Sequence, residues 1–400
     1  MRTRKNVKAL TETEKKNFVT AVLALKKKPS TLHPGNTGFS RYDDYVEVHR
    51  NATNSIINQV TTQPALNQKS WAYGGPAFLP WHREFILQFE TDLAAINSTV
   101  TLPYWDWTDA SPAASPFTTN FLGGNGSGPD QMVADGPFAG DKWKLNIKED
   151  PGDSNSLQRD FGGDGTAPAL PTAGLQNAVL NVATYDTSPW RGVTDTFRWH
   201  CENALHNLIQ RFIGGTTDSI ASPNDPVFFL HHANIDRLYA VWQGLHQASA
   251  HYLPVTGGQQ GHNLNDALIF HTTGTAPFQT NATPATVMNH HLLGYQYDTE
   301  MQVSLGGLKI PAAHLQILYG IVNDASSVEV APNGNTIQVP GGQIPFTPGD
   351  PWTQLSPAAR DTLIGRAVNE LAAQIANSGA RNQVQAAVAP LTGKARAASS

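Results

Sequence analysis

Cysteine is almost absent from this chain of 400 residues, which contains Cys201 and no other. One thiol excludes an intrachain disulfide, and it also excludes a metal site held by paired thiolates. Charged residues are few as well, at 15% of the chain, and the net charge of −5 gives no reason to expect nucleic acid or an anionic membrane as a partner. The 40% of hydrophobic residues is enough to bury a sizeable core.

Long apolar runs are also missing. No stretch is long enough to span a membrane, so we expect no membrane association. The basic residues Arg2, Arg4 and Lys5 are not followed by an apolar region, so we expect no signal peptide. Two locations stay open: the cytoplasm, or export together with a partner that carries the signal.

Histidine, in contrast, is frequent, with 14 residues. Four predicted helices each carry a histidine on the apolar face or near the start. In the second helix, Tyr42, Val46 and His49 share one face, so His49 is predicted to be buried. The four histidines are His49, His82, His206 and His232, and His231 directly precedes the last of them.

Two interpretations of these histidines are open from the pattern alone. A single buried histidine is most often a core residue whose ring nitrogens find protein partners. Four helices that each direct an imidazole inward are instead typical of a metal site in a helical bundle. Because thiolate pairs and a carboxylate cluster are missing, the donor set favours copper or zinc over magnesium, calcium or a di-iron centre.

Several motifs carry a more specific signal, and together they extend from about residue 4 to residue 298. They are Arg41, Tyr42 and Asp43 before His49, PAFLPWHR at 76–83, LPYWDW at 102–107, DGPF at 135–138, ENALHN at 202–207, NDPVFFLHH at 224–232 and YQY at 295–297. In this order they resemble the tyrosinase and catechol oxidase family of type-3 copper proteins, in particular its bacterial short forms. The resemblance implies two coppers per chain, which use dioxygen to hydroxylate phenols and to oxidise catechols to quinones.

The resemblance also implies which residues form the site. Each copper of the family is held by three histidines. By resemblance the ligands are His49, His82 and position 73 for the first copper, and His206, position 210 and His232 for the second. His231 is then a neighbour of the ligands, and Glu202 and Asn207 match the pair that orients a water to deprotonate the incoming phenol.

The sequence departs from the family pattern at two of these positions, which hold Tyr73 and Gln210. A glutamine amide is a weaker ligand than imidazole, and tyrosine binds well only as phenolate, whose unperturbed pKa is about 10. Both side chains are predicted to point toward the four histidines, one beside each copper. His200 is a poor replacement for Gln210, because six residues separate it from His206 and it points roughly 120° away on a helix.

The resulting prediction is a mainly α fold: a four-helix bundle core that holds a dinuclear copper site, with long loops and a small β-containing C-terminal segment. The core is expected at 1–298, a β-hairpin and helix that pack on it at 299–380, and a flexible tail at 381–400. We expect a tyrosinase-like oxidoreductase, impaired by Tyr73 and Gln210, that acts on a small phenol or catechol with dioxygen and binds copper below full occupancy. A non-catalytic relative with a degenerate site is the alternative, and a copper-loading or export partner belongs to either hypothesis.

Overall fold

Helices dominate the computed structural model, which confirms the predicted mainly α fold. It describes residues 2–53, 70–163, 169–190, 193–246, 249–270, 278 and 281–300, together with the backbone of short strands at 302–305, 308–311, 329–330, 336–339 and 342–345. The chain divides into two compact units, Met1–Gln296 and Tyr297–Ser400. The predicted C-terminal helix near Leu363 and the tail at 381–400 lie outside the described residues.

Within its described residues, the first unit has eight α-helices, and three of them carry the site histidines other than His206. Their bounds are Glu12–Leu25 (α1), Arg41–Thr53 (α2), Phe78–Ile96 (α3), Ala173–Leu180 (α4), Phe197–His200 (α5), Asn207–Ile213 (α6), Val227–Leu245 (α7) and Pro284–Val287 (α8). Helix α7 is buried along almost its whole length, which agrees with its apolar residues on every side. Among the described residues, no helix combines the length and the apolar composition needed to cross a membrane.

The predicted helix that carries His206 is not continuous. Helix α5 begins only at Phe197, and a π-helical segment, Cys201–His206, separates it from α6. Such wide turns are rare and occur frequently at functional sites. This one contains both Glu202 and His206.

The strands are short, with two to four residues each. Arg2–Arg4 (β1) pairs with Tyr295–Tyr297 (β4), and Gly126–Ser127 (β2) pairs with Met132–Val133 (β3). In the second unit, Gln302–Leu305 (β5) and Leu308–Pro311 (β6) are antiparallel, and Glu329–Val330 (β7), Thr336–Val339 (β8) and Gly342–Pro345 (β9) form a three-stranded sheet. The small β-containing C-terminal segment predicted from the sequence is confirmed.

A buried ionic cluster fixes the helices that carry two of the histidines. Arg4 on β1 donates to Glu90 on α3 at 2.8 Å and to Asp236 on α7 at 3.1 Å. Arg83 of α3 and the hydroxyl of Tyr295 also donate to Asp236. Because Arg83 is next to His82 and Asp236 is one turn from His232, the cluster sets the register of both helices.

Candidate metal centre

The four predicted ligand histidines converge in the interior of the first unit. The rings of His82 and His232 stack with their centroids 4.2 Å apart. His206 lies 4.7 Å from His232, and His49 lies 5.8 Å from His82. All four side chains are almost completely buried. The helices α2, α3 and α7 and the π-helical segment therefore bring together the residues that the sequence pattern selected.

Hydrogen bonds orient three of these imidazoles with Nε2 toward the centre. In each case Nδ1 lies 2.8 Å from a protein oxygen. The pairs are His49 with the Ile220 carbonyl, His82 with the Phe78 carbonyl and His206 with the Asn207 Oδ1. A neutral ring that donates from Nδ1 keeps a lone pair on Nε2, which is the arrangement found in metal-bound histidine.

The inward nitrogens have few protein partners. Nε2 of His82 and Nδ1 of His232 have no hydrogen bond within the described part of the chain, and Nε2 of His206 faces Nε2 of His232 at 3.1 Å. Burial lowers the pKa of His49 to about 3 and that of His206 to about 4. Neutral, nitrogen-rich and thiolate-free, the donor set fits copper or zinc.

Tyr73 lies between the two halves of this cluster. Its hydroxyl is 3.0 Å from Nε2 of His49 and 3.4 Å from Nε2 of His206, and it also bonds the side chain of Gln210. Burial and the carboxylate of Glu202 raise the pKa of Tyr73 well above its usual value, so the phenol stays protonated. The two substituted positions thus contact each other, with the tyrosine hydroxyl close to histidines of both halves.

A cavity of about 330 Å³ opens above Tyr73. Of the five site histidines only His49 lines it, since the ring of Tyr73 covers His82 and His206 at centroid distances of 4.9 and 5.3 Å. The other lining residues are polar or acidic for the most part. They are Thr53, Tyr73, Glu149, Glu202, Asn207, Gln210, Asp218, Ser219, Ile220 and Ser222.

Glu202 and Asn207, the predicted pair for proton removal, both face this cavity. The carboxylate of Glu202 accepts from the backbone N–H of Gly74 at 2.6 Å and from Arg198 at 3.1 Å. The amide of Asn207 donates to Asn203 while its oxygen accepts from His206. Sequence reasoning missed Arg198, although a cation four residues before Glu202 on a helix is a recognisable signal.

His231 and His200 occupy different surroundings. The ring of His231 is completely buried, 4.8 Å from that of His206, and its side chain forms a group with His206 and His232 whose nitrogens could hold one metal ion. His200 ends α5 with its ring against Trp199, outside that group.

Comparison with known proteins places this centre in a family. The family profile described as the common central domain of tyrosinase matches residues 39–245, just over half of the chain. A tyrosinase of Streptomyces glaucescens is 38% identical over 307 residues, covering 75% of this chain and 100% of the relative. A tyrosinase of Streptomyces antibioticus is 39% identical over 297 residues, covering 72% and 97%.

A solved structure agrees at the level of the fold. A polyphenol oxidase variant from Thermothelomyces thermophila superposes with a TM-score of 0.55 at 24% identity, covering 74% of this chain and 88% of that one. The region matched by the family profile, residues 39–245, contains helices α2, α3, α6 and α7, which lie around the histidine cluster. The chain belongs to the tyrosinase family.

Proposed function

We propose that this chain is a polyphenol oxidase that converts catechols, and phenols through catechols, to ortho-quinones with dioxygen at two bound coppers. The observation that carries the proposal is the convergence of four buried, neutral imidazoles from separate chain segments. His49 and His82 would hold the first copper, and His206 and His232 the second. In the net reaction two electrons and two protons leave each catechol, and dioxygen is reduced to water.

The residues at the cavity would bind the water that accepts the substrate's proton. Bound copper supplies the electron transfer between substrate and dioxygen. Glu202 and Asn207 face the cavity and can hold a water that accepts the phenolic proton. Arg198 and the Gly74 N–H keep the Glu202 carboxylate in place.

Tyr73 and Gln210 set the level of activity. Each half of the centre keeps two of the family's three imidazoles, and even changes beyond the ligands typically cost about 10–100-fold in metal affinity. Tyr73 also separates the cavity from His82 and His206, so a substrate in the cavity meets its ring first. We therefore expect copper below full occupancy and slow turnover.

A non-catalytic role is the second candidate, and one contact favours it. The hydroxyl of Tyr73 bonds both His49 and Gln210, so protein groups partly satisfy the polar atoms of the centre. A binding or structural protein with a degenerate site would have this arrangement.

Metal content and turnover of the full chain separate the two candidates. The purified protein is dialysed against copper, the bound copper is counted, and quinone formation from 4-methylcatechol is followed. Glu202→Gln is the matched variant, since it removes the negative charge at nearly constant shape. Bound copper with a slow oxidation that Glu202→Gln lowers further supports the oxidase. Absence of copper, or copper without oxidation above the free-ion rate, contradicts it.

A further inference from the structure

His231 is the least satisfied polar side chain at the centre. It is completely buried, and neither Nδ1 nor Nε2 has a hydrogen-bond partner among the described residues. A neutral imidazole has one donor and one acceptor, and burying both unpaired is costly. When a folded protein buries such an unpaired group, a bound water, a bound ion, local strain or a catalytic role usually explains it.

The surroundings of His231 narrow the explanation. Its ring is 4.8 Å from His206 and 5.1 Å from His232. One ring nitrogen from each of these three histidines lies within 4.8 Å of the other two.

Gln210, which stands where the family has a ligand, is engaged elsewhere. Its side chain bonds the hydroxyl of Tyr73 and lines the cavity. It is therefore directed toward Tyr73, whereas His231 is packed between His206 and Trp107, and its ring nitrogens have no partner within the described chain.

From these contacts we infer that His231 is the third protein ligand of the second metal, in place of Gln210. The second half of the centre is then a three-imidazole site of His206, His231 and His232, suited to copper and to zinc. The first half, with His49 and His82, keeps two imidazoles and fills second. The inference rests on the proposed function only for the choice of copper.

The test uses the full chain, one equivalent of Cu(II), and a count of coupled imidazole nitrogens by pulsed electron paramagnetic resonance. Three nitrogens are expected in the unaltered protein and two in His231→Gln. The variant should also lower copper affinity by at least about 10-fold, as loss of a ligand exceeds the loss of an outer partner. His200→Gln is the matched control and should leave both readings unchanged.

A second pair of variants makes the test specific. If His231 replaces a missing imidazole, adding Gln210→His to the His231→Gln variant should restore most of the lost copper affinity. In the unaltered chain, Gln210→His should increase copper affinity much less. Two coupled nitrogens in the unaltered chain, or equal affinity in His231→Gln, would overturn the inference. That result would instead fit a buried water shared with the unpartnered Nε1 of Trp107.

The outcomes separate this inference from the proposed oxidase. If copper binding depends on His231 but the copper-loaded protein does not oxidise catechol, the ligand assignment is supported and the oxidase proposal is contradicted. Catechol oxidation that is independent of His231 does the reverse. If His231→Gln fails to fold, the nitrogen count of the unaltered protein still decides.

Discussion

At the residue scale, Tyr73 and Gln210 are the two changes that distinguish this centre from a six-histidine one. Restoring imidazole at both positions, by Tyr73→His with Gln210→His, should raise copper content toward two per chain and increase catechol oxidation by at least about 10-fold. Gln210→His alone should do much less, because the first half then still has only two imidazoles. Copper content and quinone formation are measured on the same preparations.

Tyr73→Phe and Gln210→Asn are the controls for this restoration. They remove the contact between the two side chains without adding an imidazole, so copper content should stay near that of the unaltered chain. Full copper content in the unaltered protein would show instead that other residues complete the site.

The histidines that cluster could be selected from the sequence, but their arrangement around Tyr73 could not. Helical spacing placed His49 on a buried face, and the motif order brought in His82, His206 and His232. The position of Tyr73 between the two halves could not be predicted, because it depends on how the loop before α3 folds back against Gln210.

At the element scale, the loop that carries Tyr73 is held by a histidine distant in sequence. His262 lies beside this loop: Nδ1 accepts from the Ala77 N–H at 3.3 Å, and Nε2 is 3.2 Å from the Ser70 carbonyl. A Cβ at Gly75 would lie 2.8 Å from the His262 ring. The glycine is therefore required by this close approach.

Gly75→Ala should displace the loop or the His262 ring and cost about 1–3 kcal/mol of unfolding free energy. Because Glu202 accepts from the neighbouring Gly74 N–H, copper affinity should fall as well. Chemical denaturation and copper titration measure the two effects. Gly152→Ala is the control, since nothing lies within 4 Å of the added methyl, and equal stability of the two variants would contradict the prediction.

The acidic wall of the cavity predicts a preference among substrates. Glu149, Asp218 and Glu202 line it, and no lysine or arginine is among its lining residues within the described chain. A catechol with a cationic amine should therefore be oxidised about 2–5-fold more efficiently, relative to neutral 4-methylcatechol, than one with a carboxylate. Asp218→Asn and added salt should both reduce this ratio, and a ratio unaffected by either would contradict the electrostatic cause.

A helix could be predicted from the sequence where a capping residue and helical spacing of apolar residues occur together. Thr11 and Glu14 form a capping box at the start of α1, with the Glu14 amide 3.2 Å from the Thr11 hydroxyl. The π-helical segment could not be foreseen, because its sequence is compatible with an α-helix. Helix α4 lies in a region rich in glycine and proline, and its eight residues give too short a periodic signal to predict it.

At the scale of the whole molecule, the buried histidines link stability to pH. His49 and His206 have pKa values of about 3 and about 4 in the folded chain, against about 6.5 when unfolded. Between about pH 4 and 6.5 the unfolded chain binds these protons and the folded chain does not. Unfolding free energy should therefore decrease as pH falls, by about 1.4 kcal/mol per unit for each histidine.

Urea unfolding of the metal-free protein at pH 7, 6 and 5 measures this decrease. His49→Gln should make the dependence shallower by about one proton. An unfolding free energy that stays constant between pH 7 and pH 5 would contradict the prediction that these buried imidazoles are neutral in the folded chain.

The ionic cluster around Asp236 should contribute to the stability of the whole first unit. Arg4→Met leaves Glu90 and Asp236 buried without one of their cations, and we expect a loss of about 3–5 kcal/mol. Lys8→Met, which removes an exposed pair with Asp109, should cost only about 0–1 kcal/mol. Thermal and chemical denaturation compare the two variants, and similar losses would contradict a special role for the buried cluster.

The pairing of the first strand with the last part of this unit determines when the centre can be completed during synthesis. The Arg2 N–H donates to the Gly294 carbonyl, and the Arg4 guanidinium lies 3.6 Å from the ring centroid of Tyr295. A ribosome must therefore release almost 300 residues before β1 can meet its partner. Asp236 of α7 gains the hydroxyl of Tyr295 only then, so a metal ion that arrives earlier meets an incompletely fixed site. Copper should accordingly enter after translation of the core has finished.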